Sequence, residues 1–185
     1  MANTPPIKQY QRLMVRPLVV FVAYFLFISP SFAEDESVEY KVKAGYLYNF
    51  TKFVYWPQKE SATFNLCIVG DDPFGDLTKR IEQKKVHGKS IRFFRYPQLK
   101  EPFQHCDIIY FAGSVEKKLI QKNTFDGILT VGEKEPFVRQ GGMLAFVMKN
   151  DRIKLQINVQ AFKKNGLEVS GKLMEVAEII EESHE

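Results

Sequence analysis

Asp71 and Asp72 stand side by side after an apolar run that ends at Gly70. Two carboxylates at the end of a buried strand can hold Mg²⁺ for phosphoryl transfer. That chemistry needs partners from the neighbouring strand ends. The next one, Phe111-Ala112-Gly113-Ser114, brings no carboxylate. Lys134 follows a third apolar run, as a lysine does in a receiver-like pocket, but no aspartate stands as its acceptor. The plainer reading of Asp71-Asp72-Pro73 is a turn and a helix cap, with proline in the first helical turn.

The remaining candidates are weaker. His87, His105 and His184 are the only histidines. His105-Cys106-Asp107 contains ligand types, yet contiguous residues rarely converge on one ion, and no second cluster stands at metal spacing. No metal is expected. Ser114 lies outside any G-x-S-x-G motif and has no histidine placed as its base. Gly132 and Gly141-Gly142 lack the rest of a phosphate loop and read as turn glycines. The chain is therefore read as no enzyme, with no catalytic residue and no cofactor.

The first thirty-three residues set the compartment. Lys8, Arg12 and Arg16 form a basic start, Leu18 to Ile28 carry no charge, and Pro30 breaks the run. Ser31-Phe32-Ala33 then offers small residues to a signal peptidase, and Glu34-Asp35-Glu36 follows. This is the layout of a cleavable secretory signal, with cleavage expected after Ala33. The alternative is an uncleaved anchor, but eleven apolar residues make a helix of about 16 Å against a hydrocarbon core of ~30 Å. An exported chain is not expected to meet ATP, nucleotide cofactors or genomic DNA. Of 26 basic side chains, three lie in the signal, which leaves 23 against 22 acidic ones in residues 34–185. So neutral a domain offers no basic face to nucleic acid.

Cys67 and Cys106 both fall after the signal. In an oxidising compartment two cysteines are expected to form one disulfide. It would close a loop of about 40 residues, worth ~4 kcal/mol in the chain-entropy account. The alternative is a pair of buried thiols.

The elements that must position these residues follow from periodicity. Residues 38–56 predict a helix, with Val38, Val42, Leu47, Phe50 and Val54 recurring at three to five residues and Pro57 as its stop. Lys41, Gly45, Asn49 and Lys52 give it a polar stripe, but its aromatic content exceeds one buried face. Residues 63–69, 107–112 and 127–131 predict short buried strands, and 86–96 a strand broken at His87-Gly88. Helices are expected from Asp72 to about Lys84, over Val115–Lys122 with Leu119 and Ile120 facing in, over Val159–Lys164, and over Leu173–Ile180. Met143–Met148 and Arg152–Ile157 read as a hairpin. Strands alternating with helices predict one α/β domain over 34–185. Its mainly parallel sheet carries helices on both faces, a three-layer α/β/α sandwich with the antiparallel hairpin at one edge.

Several segments together resemble the YfiR family of periplasmic regulators. They are Lys43–Pro57 in the aromatic helix, Cys67–Gly75 across the first strand end, Leu129–Glu133, Gly141–Met143, Ile157–Val159 and Gly166–Met174. Their order and spacing carry the resemblance, which covers nearly all of 38–180. It implies an α/β sandwich, export to the periplasm of a Gram-negative cell, and no enzymatic activity. Family members of known role bind the periplasmic part of an inner-membrane diguanylate cyclase and hold it inactive. Release raises cyclic di-GMP and favours biofilm. An outer-membrane lipoprotein can sequester the repressor, and redox state can modulate it. Cys67 and Cys106 match a family cysteine pair in position; a second pair is absent, since no cysteine follows Cys106.

The expectation is thus a regulatory binding protein, a homodimer, that represses its partner through an apolar face. Aromatic residues dominate such hot spots. The candidates are Tyr46, Tyr48, Phe53 and Trp56 on the first helix, with Leu167, Leu173 and Val176 as a second patch. The competing expectation is a small-molecule sensor or carrier with a pocket at the strand ends near Asp71, Asp72 and Thr130.

Overall fold

Short runs of buried apolar residues, each closed by a turn, build the protein. The computed structural model describes residues 34–57, 60–99, 102–122 and 124–181. The expected signal segment, the cleavage point after Ala33 and His184 lie outside the described residues.

Helix α1 spans Glu34–Phe53. Ala44, Leu47, Phe50 and Thr51 recur at helical spacing and are buried, while Lys41, Gly45, Asn49 and Lys52 are exposed as expected. The helix ends at Phe53, ahead of Pro57. Val54–Tyr55 leave it as strand β1, which pairs antiparallel with β9 (Glu168–Val169), and Ser170 N donates to Phe53 O at 2.8 Å. Ladder pairing, not proline, ends the helix.

The main sheet has eight strands: β2 (Thr63–Val69), β3 (Lys85–Val86), β4 (Lys89–Tyr96), β5 (Ile108–Phe111), β6 (Leu129–Gly132), β7 (Leu144–Lys149), β8 (Arg152–Ile157) and β10 (Ala177–Ile179). Their order is β10-β8-β7-β6-β5-β2-β4-β3. β4, β2, β5, β6 and β7 run parallel. β3 and β4 form a hairpin through His87-Gly88, and β7 and β8 another through Asn150-Asp151. All four loop residues have positive φ, the backbone that lets a two-residue turn follow the strand twist.

The remaining helices are α2 (Leu77–Glu82), α3 (Lys117–Lys122), α4 (Glu135–Arg139), α5 (Val159–Lys164) and α6 (Gly171–Val176). Alternation along β5 sorts the layers. Tyr110 meets Phe74 and Phe146 on the α1 face, where Tyr46 and Phe50 also pack on Phe146. Phe111 meets Phe125 and Phe137 on the other face, beneath α3 and α4. The α/β/α sandwich expected from the alternation of strands and helices is the observed fold.

Four expectations need correction. The helix after Asp72 begins only at Leu77, because Asp72 Oδ1 instead accepts from Phe74 N at 2.8 Å in a tight turn. Leu119 is partly exposed, and only Ile120 of α3 is buried. Leu173–Ile180 is not one helix. Ser170 caps α6 by accepting from Leu173 N, the helix stops at Val176, and Ala177–Ile179 turn into β10, parallel to β8. The β7–β8 hairpin is therefore one strand in from the edge. Helix α4 was not expected; its signal is Pro136 in the first turn after extended Lys134.

Candidate functional site

The first cluster of chemistry-bearing side chains is largely withdrawn from solvent. Lys43 is 4% exposed on α1, and Glu133, 12% exposed, follows β6 directly. Lys43 Nζ donates to Glu133 Oε1 at 2.9 Å and also pairs with Glu39, one helical turn away. Tyr110 donates its hydroxyl to the same Glu133 oxygen, and Gly113 N donates to Oε2 at 2.9 Å. The ammonium also lies 4.5 Å from the centre of the Tyr40 ring. Burial alone would raise the Glu133 pKa. The hydrogen bonds from Tyr110, Lys43 and Gly113 outweigh it and hold the carboxylate below its usual range. Burial, then the Glu133 charge, pushes the Tyr110 phenol up, so it stays protonated. Each of these groups is satisfied by its neighbours, and the cluster ties α1 to the strand ends as a structural clamp.

The strand-end candidates do not converge. Asp71 is exposed. Asp72 caps its turn and accepts from Arg95 Nε at 2.7 Å, while Arg95 also donates to Thr78 Oγ1. Thr130 is buried, and its hydroxyl accepts from Met143 N at 3.1 Å. Lys134 donates to Ser114 Oγ at 3.0 Å. A cavity of about 230 Å³ does lie at the ends of β2 and β5, lined in part by Gly70, Leu99, Ala112 and Ser114, but by none of Asp71, Asp72 and Thr130.

Cys67 on β2 and Cys106 just before β5 form a disulfide, with Cα atoms 5.9 Å apart. His105 stands beside it. Its Nε2 pairs with the Tyr96 hydroxyl at 2.9 Å, and its ring meets Phe94 edge-on at 5.1 Å.

Residues 40–178 match the family model described as YfiR/HmsC-like. The chain belongs to this family. The matched stretch takes in every segment on which the resemblance rested. No curated protein matches the chain. Among the described residues, no helix is long and apolar enough to cross a membrane.

In this YfiR/HmsC-like domain the expected partner-binding residues divide. Tyr46, Tyr48, Phe53 and Trp56 are half-buried against the core. Tyr46 packs on Phe50 and Phe146, and Trp56 donates Nε1 to Asp107 O at 3.1 Å while meeting Phe64 edge-on. Leu167 and Leu173 are core residues at 1% and 3% exposure, so they present nothing outward. Val176 is 67% exposed, and Ile179 on β10 is 57% exposed. Strand register puts Met148, Ile153, Ala177 and Ile179 on the face that α1 covers further in. Met148 is exposed as well, and Val38 and Val42, also exposed, continue the Tyr46 line along α1 at four-residue spacing.

Lys43, Glu133 and Tyr110 were missed as a unit by sequence reasoning. A lysine inside an otherwise apolar helix face and a glutamate closing an apolar strand were the available signals. Nothing in the sequence paired them across 90 residues.

Proposed function

We propose that the protein is a periplasmic, non-enzymatic regulator that binds and represses an inner-membrane signalling protein of the diguanylate cyclase type, and so restrains cyclic di-GMP output and biofilm formation. Membership of the YfiR/HmsC-like family carries this reading. The buried titratable cluster supports it too, because its members are spent on one another and leave no group aimed at a substrate. The exposed apolar residues at the β10 edge, Val176 and Ile179 with Met148, are the contact surface in this account, in place of Leu167 and Leu173. Export through the 1–33 signal, self-association as a homodimer and capture by an outer-membrane lipoprotein belong to the same proposal. Affinity capture on intact membranes tests it. The wild-type protein is expected to retain an inner-membrane signalling protein that Val176→Asp with Ile179→Asp fails to retain. Recovery of no such protein by the wild type contradicts the reading.

A second reading, a small-molecule sensor, draws on a cavity of about 460 Å³ between Trp56, Phe64, His87, Lys89 and Asp107. That volume falls in the range of about 300–1,000 Å³ common for ligand pockets, and the strand-end cavity does not. It lies at the opposite end of the strands from Asp71 and Asp72. Thermal shift across a metabolite panel separates the two readings, since a ligand held only by the folded chain raises its midpoint.

A further inference from the structure

His105 Nε2 lies 3.8 Å from Cys67 Sγ and 3.6 Å from Cys106 Sγ. Around a tetrahedral zinc, with Zn–S near 2.3 Å and Zn–N near 2.0 Å, a sulfur and a nitrogen stand about 3.6 Å apart and two sulfurs about 3.8 Å. Two edges of such a site are therefore already set, and only the sulfur–sulfur edge is closed by the bond. From this geometry we infer that reduction turns the Cys67–Cys106 bridge into a zinc site of two thiolates and the His105 imidazole, with water in the fourth position.

The ligands are held together by contacts that do not involve the bridge. Cys67 lies within β2, which pairs with β4 on one side and β5 on the other. Cys106 N donates to Phe103 O at 2.9 Å, and Asp107 N donates to Asn65 O at 2.8 Å. Asn65 also donates from its side chain to His105 O and from its backbone to Asp107 Oδ2, both at 2.7 Å. Opening the sulfur–sulfur bond leaves this backbone frame in place, so the two cysteines stay neighbours while side-chain rotation opens the sulfur–sulfur edge. His105 is exposed and both cysteines are buried, which makes the histidine side the route of entry.

The chemistry balances. A phosphine reductant gives two electrons to the bridge and becomes its oxide with oxygen from water, and the two protons of that water complete two thiols. Zinc binding then displaces both protons, and His105 exchanges its Nε2 contact with the Tyr96 hydroxyl for the metal, the neutral imidazole protonated at Nδ1 donating its Nε2 lone pair. Two thiolates cancel the charge of Zn²⁺, so no net charge is added beside the buried sulfurs. Thiolate and imidazole ligands select zinc over magnesium or calcium, which take oxygen. The site stands whether or not the chain represses a cyclase.

Zinc titration of the purified protein against a chromophoric chelator tests the site, before and after phosphine reduction. The reduced protein is expected to bind one zinc per chain and, with cobalt in its place, to show a thiolate-to-metal charge-transfer band. The bridged protein is expected to show neither. His105→Ala alters an exposed side chain, and circular dichroism checks its fold. In the reduced state it should bind zinc on the order of 100-fold more weakly, since even loss of a supporting hydrogen bond to a ligand costs ten- to a hundredfold. Equal zinc binding by reduced and bridged protein, or by reduced His105→Ala and its parent, overturns the inference.

Discussion

Lys43 Nζ on α1 lies 2.9 Å from Glu133 Oε1 at the end of β6. Ninety residues of chain separate them; Lys43 is buried, and Glu133 is 12% exposed. A buried charge that loses its partner is costly, because the survivor stays out of water unpaired. Lys43→Met is therefore expected to cost about 3 kcal/mol in urea unfolding, at the low end for such pairs because Tyr110 and Gly113 still hold Glu133. Adding Glu133→Gln should cost much less than it does alone. Strict additivity of the two substitutions would mean that the pair is not coupled.

The same cluster predicts the pH profile. Glu133 is held below its ordinary 4.5 by the hydrogen bonds from Tyr110, Lys43 and Gly113, which overcome its burial. Its contribution to stability is complete above pH 4.5 and is lost as the pH falls through the lower folded value. Tyr110 is shifted the other way, upward from 10.0, by burial and then by the Glu133 charge. Its contribution is complete below pH 10.0 and is lost as the pH rises beyond it. Stability measured against pH should fall less steeply on the acid side in Glu133→Gln and on the alkaline side in Tyr110→Phe. Limbs identical to wild type would contradict the assignment.

The disulfide spans 39 residues. In the chain-entropy account it contributes about 4 kcal/mol, so Cys67→Ser should lower stability by that order in oxidising buffer. Wild-type protein with reductant and a chelator should match the variant. Equal melting with and without reductant would show that the bridge does not stabilise the fold.

Phe137 lies between two glycines. A Cβ on Gly132 would fall 2.5 Å from Phe137 Cγ, and one on Gly142 2.2 Å from Phe137 Cε1. Gly142→Ala should therefore cost about 1–3 kcal/mol by overpacking. Phe137→Leu in the same chain should recover part of that loss. A neutral Gly142→Ala would show that the ring has room to move.

How far these elements were legible depends on where their determinants lie. β2 was readable because seven residues from Thr63 to Val69 need only burial and a terminating Gly70. The β7–β8 hairpin was readable because Asn150 and Asp151 tolerate the positive φ that the turn requires. Leu173, Val176, Ala177 and Ile180 also fit a helix, and the reading failed there. Local periodicity lost to a tertiary demand: β8 had an unpaired edge, and Ala177–Ile179 filled it. The same substitution of ladder for helix took Val54-Tyr55 from α1. The candidate site was legible in part. Cys67 and Cys106 could be paired by counting and compartment, but His105 beside them, and Glu133 beside Lys43, depend on strand register that only the fold supplies.

In sequence, Asp71 and Asp72 read as a turn and helix cap in preference to a metal pair, and their surroundings give them different roles. Asp72 holds a turn and Arg95, and Asp71 faces solvent. Asp71→Asn should be silent in thermal melting. Asp72→Asn should cost roughly 1 kcal/mol through the turn, since the half-exposed ion pair with Arg95 adds little. A magnesium-dependent stabilisation abolished by either change would restore the metal reading.

The central claim is that the protein acts by contact with an inner-membrane cyclase. The most direct measurement is the rate of cyclic di-GMP synthesis from GTP by inner membranes of the producing cell, with and without added protein. The account predicts that wild-type protein lowers the rate and that Val176→Asp with Ile179→Asp, melting like wild type, does not. A rate unchanged by saturating wild-type protein would contradict it.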